Sequence, residues 1–516
     1  MAEMTREEVE ERLEEYAAYK AVKEAHEDTE ETRLETNNEN LEAEGAGSQN
    51  STGDKEDKVD EATSAEDDAP QNKNEPQNES IHSTAPSLDD CDLSELDLSD
   101  LNFLGISMQN TNLTKTIFNR ANLSNTSLVK ANLQDAHLID TNLSEADLLD
   151  TDLSRANLED ANLEESILKG AKLAEANLER ANLRKCNLVG ANLTKSNLNE
   201  VTCGLADFSR ADFTGSQALG ADLNRVKLSG VNLTNADFTD SKLSMSVFFE
   251  AKFKGTNLNR AQIKGSKLVK AEFTNACLTR ADLTGADLSD AKFKETNLLR
   301  AKLGGAILRR THLIKSNLKE TDLNIADLTN ARLENVELDG ANLERIKLND
   351  AFLQKAQLTK ADVNKGKLLG VDLCGADLSG GNMRGTDFTG AKLLGVDMSR
   401  ANLTESILEN AQIKNSFLTG ADIRNANLKK ADLEGSDLSG AKLSKSNLIK
   451  ANLKGTNLHR ADLEHADFFG ANLSQANLTG AKLADANFSN AILTEANLSE
   501  TDTTDTDFSG AKGLKK

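Results

Sequence analysis

Arg260, Arg280 and Arg300 recur at intervals of twenty residues. If the fold brings them into one column, three adjacent guanidiniums repel one another and invite an anion or an acidic protein surface between them. They form the candidate partner-binding ladder of this chain. The other groups able to do chemistry are scattered. The six histidines, at 26, 82, 137, 312, 459 and 465, show no familiar metal-ligand spacing. There is no nucleophile motif, no phosphate-binding loop and no dinucleotide-binding glycine run. No catalytic, cofactor-binding or metal-ligating residue is assigned, and an enzyme is not expected, because catalysis needs convergent groups in a cleft.

The elements that position the arginines repeat every five residues. From Leu93 to Phe508, all but three of the 84 positions numbered in 3 or 8 carry Leu, Phe, Ile, Met or Val. The exceptions are Cys203, Ala218 and Thr503. Across 121–149 a small residue sits two before each large one, as in Ala121–Leu123 and Thr126–Leu128. A helix would spread such leucines around its whole circumference, since five residues advance it by about 140°. A flat strand needs strict alternation. Spacings of two and three in turn instead predict short extended edges joined by corners. Repeated corners of one sense wind the chain into a coil with small and large residues inside, and stacked coils pair through their backbones. Disorder does not hold Leu in one register for four hundred residues.

The segments "ANLEDANLEE" at 156–165 and "ADLTGADLSD" at 281–290 resemble the pentapeptide-repeat family, A-(D/N)-L-x-x, over residues 91–510. The resemblance implies an all-β fold, a right-handed quadrilateral parallel β-helix with four repeats per coil, hence about 21 coils. It also implies that residues twenty apart share a column, which places Arg260, Arg280 and Arg300 together. The absence of proline after Pro86 fits a continuous backbone ladder. Six successive repeats end in glycine, from Gly370 to Gly395, and read as turn geometry. The stretch "NEVTCGLADF", 199–208, with Ala218 nearby, predicts a bulge, kink or cavity. Cys91, Cys186 and Cys203 read as inward fillers, and five scattered cysteines suit a reduced, cytoplasmic protein.

Charge divides the chain. Residues 1–90 hold 28 acidic and 8 basic residues, while 91–516 hold 56 and 52. The expected organisation is an N-terminal amphipathic helix within 1–34, an acidic disordered linker at 35–90, the repeats at 91–510 and a basic tip at 511–516. The helix reads from about 6 to 30. Thr5 and Glu8 form a capping-box pattern, and Val9, Leu13 and Tyr16 share one helical face. The first twenty residues lack a signal-peptide core, and no apolar run reaches a membrane-spanning length.

Function is expected to be that of a non-enzymatic, rod-like scaffold for protein–protein interaction. The alternative, implied by the resemblance, is a DNA-mimic regulator or protector of a type II topoisomerase (gyrase), since the family's best-understood members bind such enzymes. Mimicry asks for a strongly anionic rod, whereas only residues 91–170, at net −9, are appreciably acidic. Direct nucleic-acid binding is not expected, because the repeats have no basic stripe and no Tyr or Trp. No cofactor and no membrane association are expected. The polar ending "TDTTDTDFSGAKGLKK" suits end-to-end pairing into a homodimer.

Overall fold

The computed structural model describes residues 3–43 and 86–514. They fall in two units, Met4–Leu88 and Met1–Glu3 with Asp89–Lys516, each taken by itself below.

In the first, helix α1 spans Arg6–Ala43. Its start is a reciprocal capping box. The Thr5 amide donates to Glu8 Oε2 at 2.7 Å, and the Glu8 amide donates to Thr5 Oγ1 at 3.3 Å. Val9 is fully buried, with Leu13, Tyr16 and Tyr19 half-buried on the same side. The helix outruns the expected end near residue 30 and enters the segment expected to be disordered linker. Glu, Arg, Leu and Ala dominate 30–43, and each Asn or Thr among them costs at most about 0.7 kcal/mol relative to Ala. The rest of the expected linker, 44–85, lies outside the described residues, as do the last two lysines of the basic tip.

The second unit is a solenoid of short extended edges. Parallel bridges join each edge centre to the residue twenty further on, as in Asn102↔Asn122 and Asn122↔Asn142. One circuit of the chain therefore takes twenty residues, or four pentapeptides. Leu123 N donates to Asn142 O at 2.7 Å and Asn142 N donates to Ala121 O at 3.0 Å on one side, and Asn122 N donates to Leu101 O at 2.9 Å on the other, so each three-residue edge is held from both sides. Glu3 bridges to Asp92 and covers part of the first layer's open edge.

Each corner is a four-residue turn. Thr126 N donates to Leu123 O at 3.3 Å, and Asn125 between them has φ +54°. Every residue numbered in a multiple of five from Asp90 to Gly510 has positive φ. Such a conformation costs an L-residue about 1–2 kcal/mol. It persists because the corner amide also bonds to the next layer, as Asn125 N does to Ser144 O at 2.9 Å. Arg, Lys, Asn and Asp occupy most corners, so the run from Gly370 to Gly395 eases the turn without being required by it.

The turn also explains the Asp or Asn at most edge centres. Its side-chain oxygen accepts the amide two residues on, as Asn122 Oδ1 does from Ser124 at 3.2 Å. Asn side chains then link layers. Asn122 donates to Asn102 at 2.8 Å and Asn142 to Asn122 at 3.1 Å. Inside, the large residues are fully buried, Leu123, Leu143 and Leu163 among them. Most buried hydroxyls donate to a carbonyl of the preceding layer, as Thr141 Oγ1 does to Phe118 O at 2.7 Å, or of their own turn, as Thr126 Oγ1 does to Leu123 O at 2.7 Å, while those of Ser216 and Ser406 have no partner among the described residues.

Of the bulge, kink or cavity expected near 199–208, the register shows no bulge, while an open groove borders Thr202, Gly204 and Leu205. Cys203 N donates to Asp222 O at 2.8 Å, as any core position does, and Cys203 and Ala218 are buried in an unbroken register. Neighbouring residues supply the missing volume. Val201 stands where Ala is usual, and Phe208 and Phe213 occupy the other two large positions of that circuit with ring centroids 5.2 Å apart.

Candidate interaction surface

Corner residues stack in columns because their amides bond layer to layer. Arg260 N donates to Thr279 O and Arg280 N to Leu299 O, so Arg260, Arg280 and Arg300 stand on successive layers of one column. Asp240 and Glu320 occupy the layers on either side. Arg260 Nε donates to Asp240 Oδ1 at 2.7 Å, and Arg300 Nε donates to Glu320 Oε2 at 2.7 Å. These bonds raise both guanidiniums above their ordinary values and hold the carboxyls of Asp240 and Glu320 below theirs. Arg280 forms no ion pair among the described residues. The column thus reads minus, plus, plus, plus, minus, and its ends are neutralised while its centre is left with free donors. Nothing in the sequence motif marks Arg280 apart from its neighbours. The distinction arises from which acids stand one layer away.

Ion pairing along columns is general. Arg120 meets Asp100 and Arg155 meets Asp135, each at 2.7 Å. Lys292 meets Glu272 at 2.8 Å and Arg310 meets Asp290 at 2.7 Å. Each such exposed pair stabilises the stack by little, about 0–1 kcal/mol. Their larger effect is on the surface, where charge of either sign is cancelled within one or two layers.

The carboxylates of the consensus are structural braces. Asp282 Oδ1 accepts both the amide of Thr284 at 3.1 Å and its hydroxyl at 2.6 Å. Burial pushes this carboxyl up, but the Thr284 bonds and Lys264 outweigh it and leave it below the ordinary value. Among the described residues, no three His, Cys, Asp or Glu are grouped so as to hold a metal ion. Burial pushes the Cys186 thiol up to about 11 and that of Cys203 well above its ordinary value, so neither is poised as a nucleophile.

A second surface borders the 199–208 stretch, for which the sequence predicts a bulge, kink or cavity. A groove of about 500 Å³ lies along Arg184, Gly204, Leu205, Asn224, Arg225 and Met245. Leu205 and Met245 are 56% and 63% exposed, and apolar side chains are unusual at the corners of this chain. Reading every corner by its column, rather than every repeat by its consensus, exposes the signal.

No curated protein matches the chain. The family described as pentapeptide repeats matches residues 87–128, 131–170, 168–200, 206–244, 246–285, 286–324, 326–364, 367–405, 401–440, 436–475 and 471–510. Among solved structures, the chain is similar to HetL, a pentapeptide repeat protein involved in heterocyst differentiation regulation from the cyanobacterium Nostoc sp. strain PCC 7120. Identity is 32%, covering 46% of this chain and 88% of that one, with a TM-score of 0.18. It is also similar to a pentapeptide repeat protein of the Arabidopsis thaliana thylakoid lumen, at 29% identity over 23% of this chain and 68% of that one, TM-score 0.18. Rfr23 from the cyanobacterium Cyanothece 51142 is 27% identical over 25% and 91%, TM-score 0.17. With the family pattern spanning nearly all of residues 87–510, the chain belongs to the pentapeptide-repeat family.

Proposed function

We propose that the repeats form a right-handed, four-sided rod of about 21 coils that acts as a non-enzymatic scaffold for a protein partner. The observation that carries this reading is the alternation of charge along the columns. Paired cations and anions offer a partner many short-range contacts but no broad field of one sign. A folded protein with a matching pattern of charges fits such a surface, and Arg280, flanked by two neutralised arginines, is its sharpest anchor for an acidic side chain. Among the described residues, no helix is long and apolar enough to cross a membrane, and we assign the chain to the cytoplasm.

The test is capture of a binding protein from the native host by the full chain and by the variant with Arg260, Arg280 and Arg300 all changed to Glu. The scaffold reading expects a partner that is identified, rebinds when purified, and is lost with the charge-reversed chain. Retention of that partner by the variant removes the ladder from the interface.

The second reading, a DNA-mimic regulator of a type II topoisomerase, is favoured by one observation, the net charge of −9 over residues 91–170. Inhibition of gyrase supercoiling by the chain, or rescue of gyrase from a quinolone, would establish it. At the C-terminal end, Leu498 and Phe508 are only half-buried, which suits end-to-end pairing of two rods.

A further inference from the structure

Only three corner residues between Asp90 and Gly510 are apolar: Leu205, Met245 and Ile325. All three lie on the same column, and all are more than half exposed. Ile325, at φ +52°, is a β-branched residue held where such residues are rarely found. The rest of this column from 205 to 325 is Arg225, Gly265, Gly285 and Gly305. The preceding turn position is glycine only at Gly204 and Gly304, again on this corner. Over the same layers the column of Arg260, Arg280 and Arg300 carries five charged residues, so the apolar corner is a local feature and not a property of the repeat.

We propose that this corner is the contact between two copies of the chain packed side by side and antiparallel. The arrangement of sizes is self-complementary about a two-fold axis through Gly265. Leu205 then faces Ile325 of the second copy, Arg225 faces its Gly305, and Met245 faces its Gly285. In the adjoining column Gly204 faces Asn324, Asn224 faces Gly304, and Ser244 faces Thr284. Long side chains meet bare backbone, and the outermost apolar residues meet each other, as an isologous interface requires.

Charge selects the same register. The column flanking the groove runs Asp222, Lys242, Gln262, Asp282, Lys302 over successive layers. About this axis Asp222 faces Lys302 of the second copy, Lys242 faces its Asp282, and Gln262 faces itself. Shifting the axis by one layer to Gly285 sets Arg225 against Arg345 and Asp282 against its own copy. Parallel packing about a two-fold axis along the stack sets Arg225 against Arg225 and Asp282 against Asp287 of the second copy. Lys264 does meet its own copy, but it is engaged by Asp282 at 3.2 Å. On the other flank Lys267 would meet itself and Asp207 would meet Asp327, so the copies lean toward the groove side.

Seven layers at about 4.8 Å give a contact of roughly 29 Å, and about five residues across the corner give roughly 16 Å. That is about 900 Å² in total, in the range of weak, reversible association.

Sedimentation velocity of the full chain from about 1 to 100 µM tests the proposal, with a concentration-dependent dimer expected. Gly285→Lys is compatible with the fold, because no atom lies within 4 Å of a Cβ there, and Lys270 and Lys360 adopt the same corner conformation. It is expected to weaken the dimer at least tenfold. Lys242→Glu, which sets two carboxylates together where it meets Asp282 of the second copy, is expected to weaken it as well. Mild oxidation of Gln262→Cys should yield a disulfide-linked dimer, and of Lys252→Cys, exposed on another column, should not. A chain that stays monomeric at 100 µM, or a dimer indifferent to Gly285→Lys, overturns the proposal. The latter result would point to the rod ends instead.

Discussion

Three phenylalanines in successive layers permit a test of how the stack holds together. Phe253, Phe273 and Phe293 are fully buried, with ring centroids 4.4 Å and 4.5 Å apart and ring planes 7° and 2° from parallel. Phe273 sits between two rings, and Phe293 touches one ring of this stack. Leu is the commonest residue at such positions, so Phe→Leu keeps the register while removing the stacking. Each ring pair contributes about 0.5–1.5 kcal/mol beyond burial. Phe273→Leu should therefore cost about 1–3 kcal/mol, and Phe293→Leu about half of that. In a solenoid each layer contacts only its neighbours, so the loss should stay local. Native-state hydrogen exchange is the suitable assay, because global unfolding of so long an array is not expected to be two-state. Amides between about 250 and 300, whose donors reach across to the next layer, should lose protection in Phe273→Leu, while amides near 120 and 450 should keep theirs. Equal losses in the two variants, or a uniform loss along the chain, would refute nearest-neighbour stacking as the source of stability.

The edge-centre and corner carboxylates predict an acid limit. The Ser94 hydroxyl and amide hold Asp92 below the ordinary carboxylate value, and Arg260 does the same for Asp240. Groups depressed on folding contribute stability above their unfolded value, about pH 4, and lose it as pH falls through the lower folded value. The urea midpoint should thus be flat near neutrality and fall below about pH 4, and an unchanged midpoint at pH 2.5 would contradict the braces. Cys186 and Cys203, fully buried with raised thiols, should resist alkylation in the native chain at pH 8 and react only on denaturation, whereas Cys277 and Cys374 are half-buried and should react first. Mass spectrometry of the labelled chain reads this directly. Ile325→Asn should stabilise the repeats by about 1 kcal/mol, since Asn enters the left-handed region readily and Ile does not, while weakening the proposed dimer. Thermal melts check the first effect, and a lower melting temperature would show that the corner is unstrained.

The spacing of large and small residues settled what lies inside. Leu123, Leu143 and Leu163 could be assigned to the core without coordinates, because a period of five with internal steps of two and three admits few other paths for the chain. The small N-terminal capping box at Thr5 and Glu8 was equally legible, since it depends on four consecutive residues. The helix end was not, because 30–43 carries neither a strong breaker nor a strong periodic signal. Cys203 and Ala218, taken alone, suggest a break in the register that the structure does not have. Their neighbours Val201, Phe208 and Phe213 restore the volume, and packing is decided by a whole circuit of side chains rather than by one position. The sequence by itself determined the register, the buried columns and the family. Only the tertiary structure decided that Arg280 stands uncapped between Arg260 and Arg300, and that Leu205, Met245 and Ile325 share one edge. Those facts depend on which residues lie one layer away, twenty positions along the chain, where a five-residue consensus carries no information.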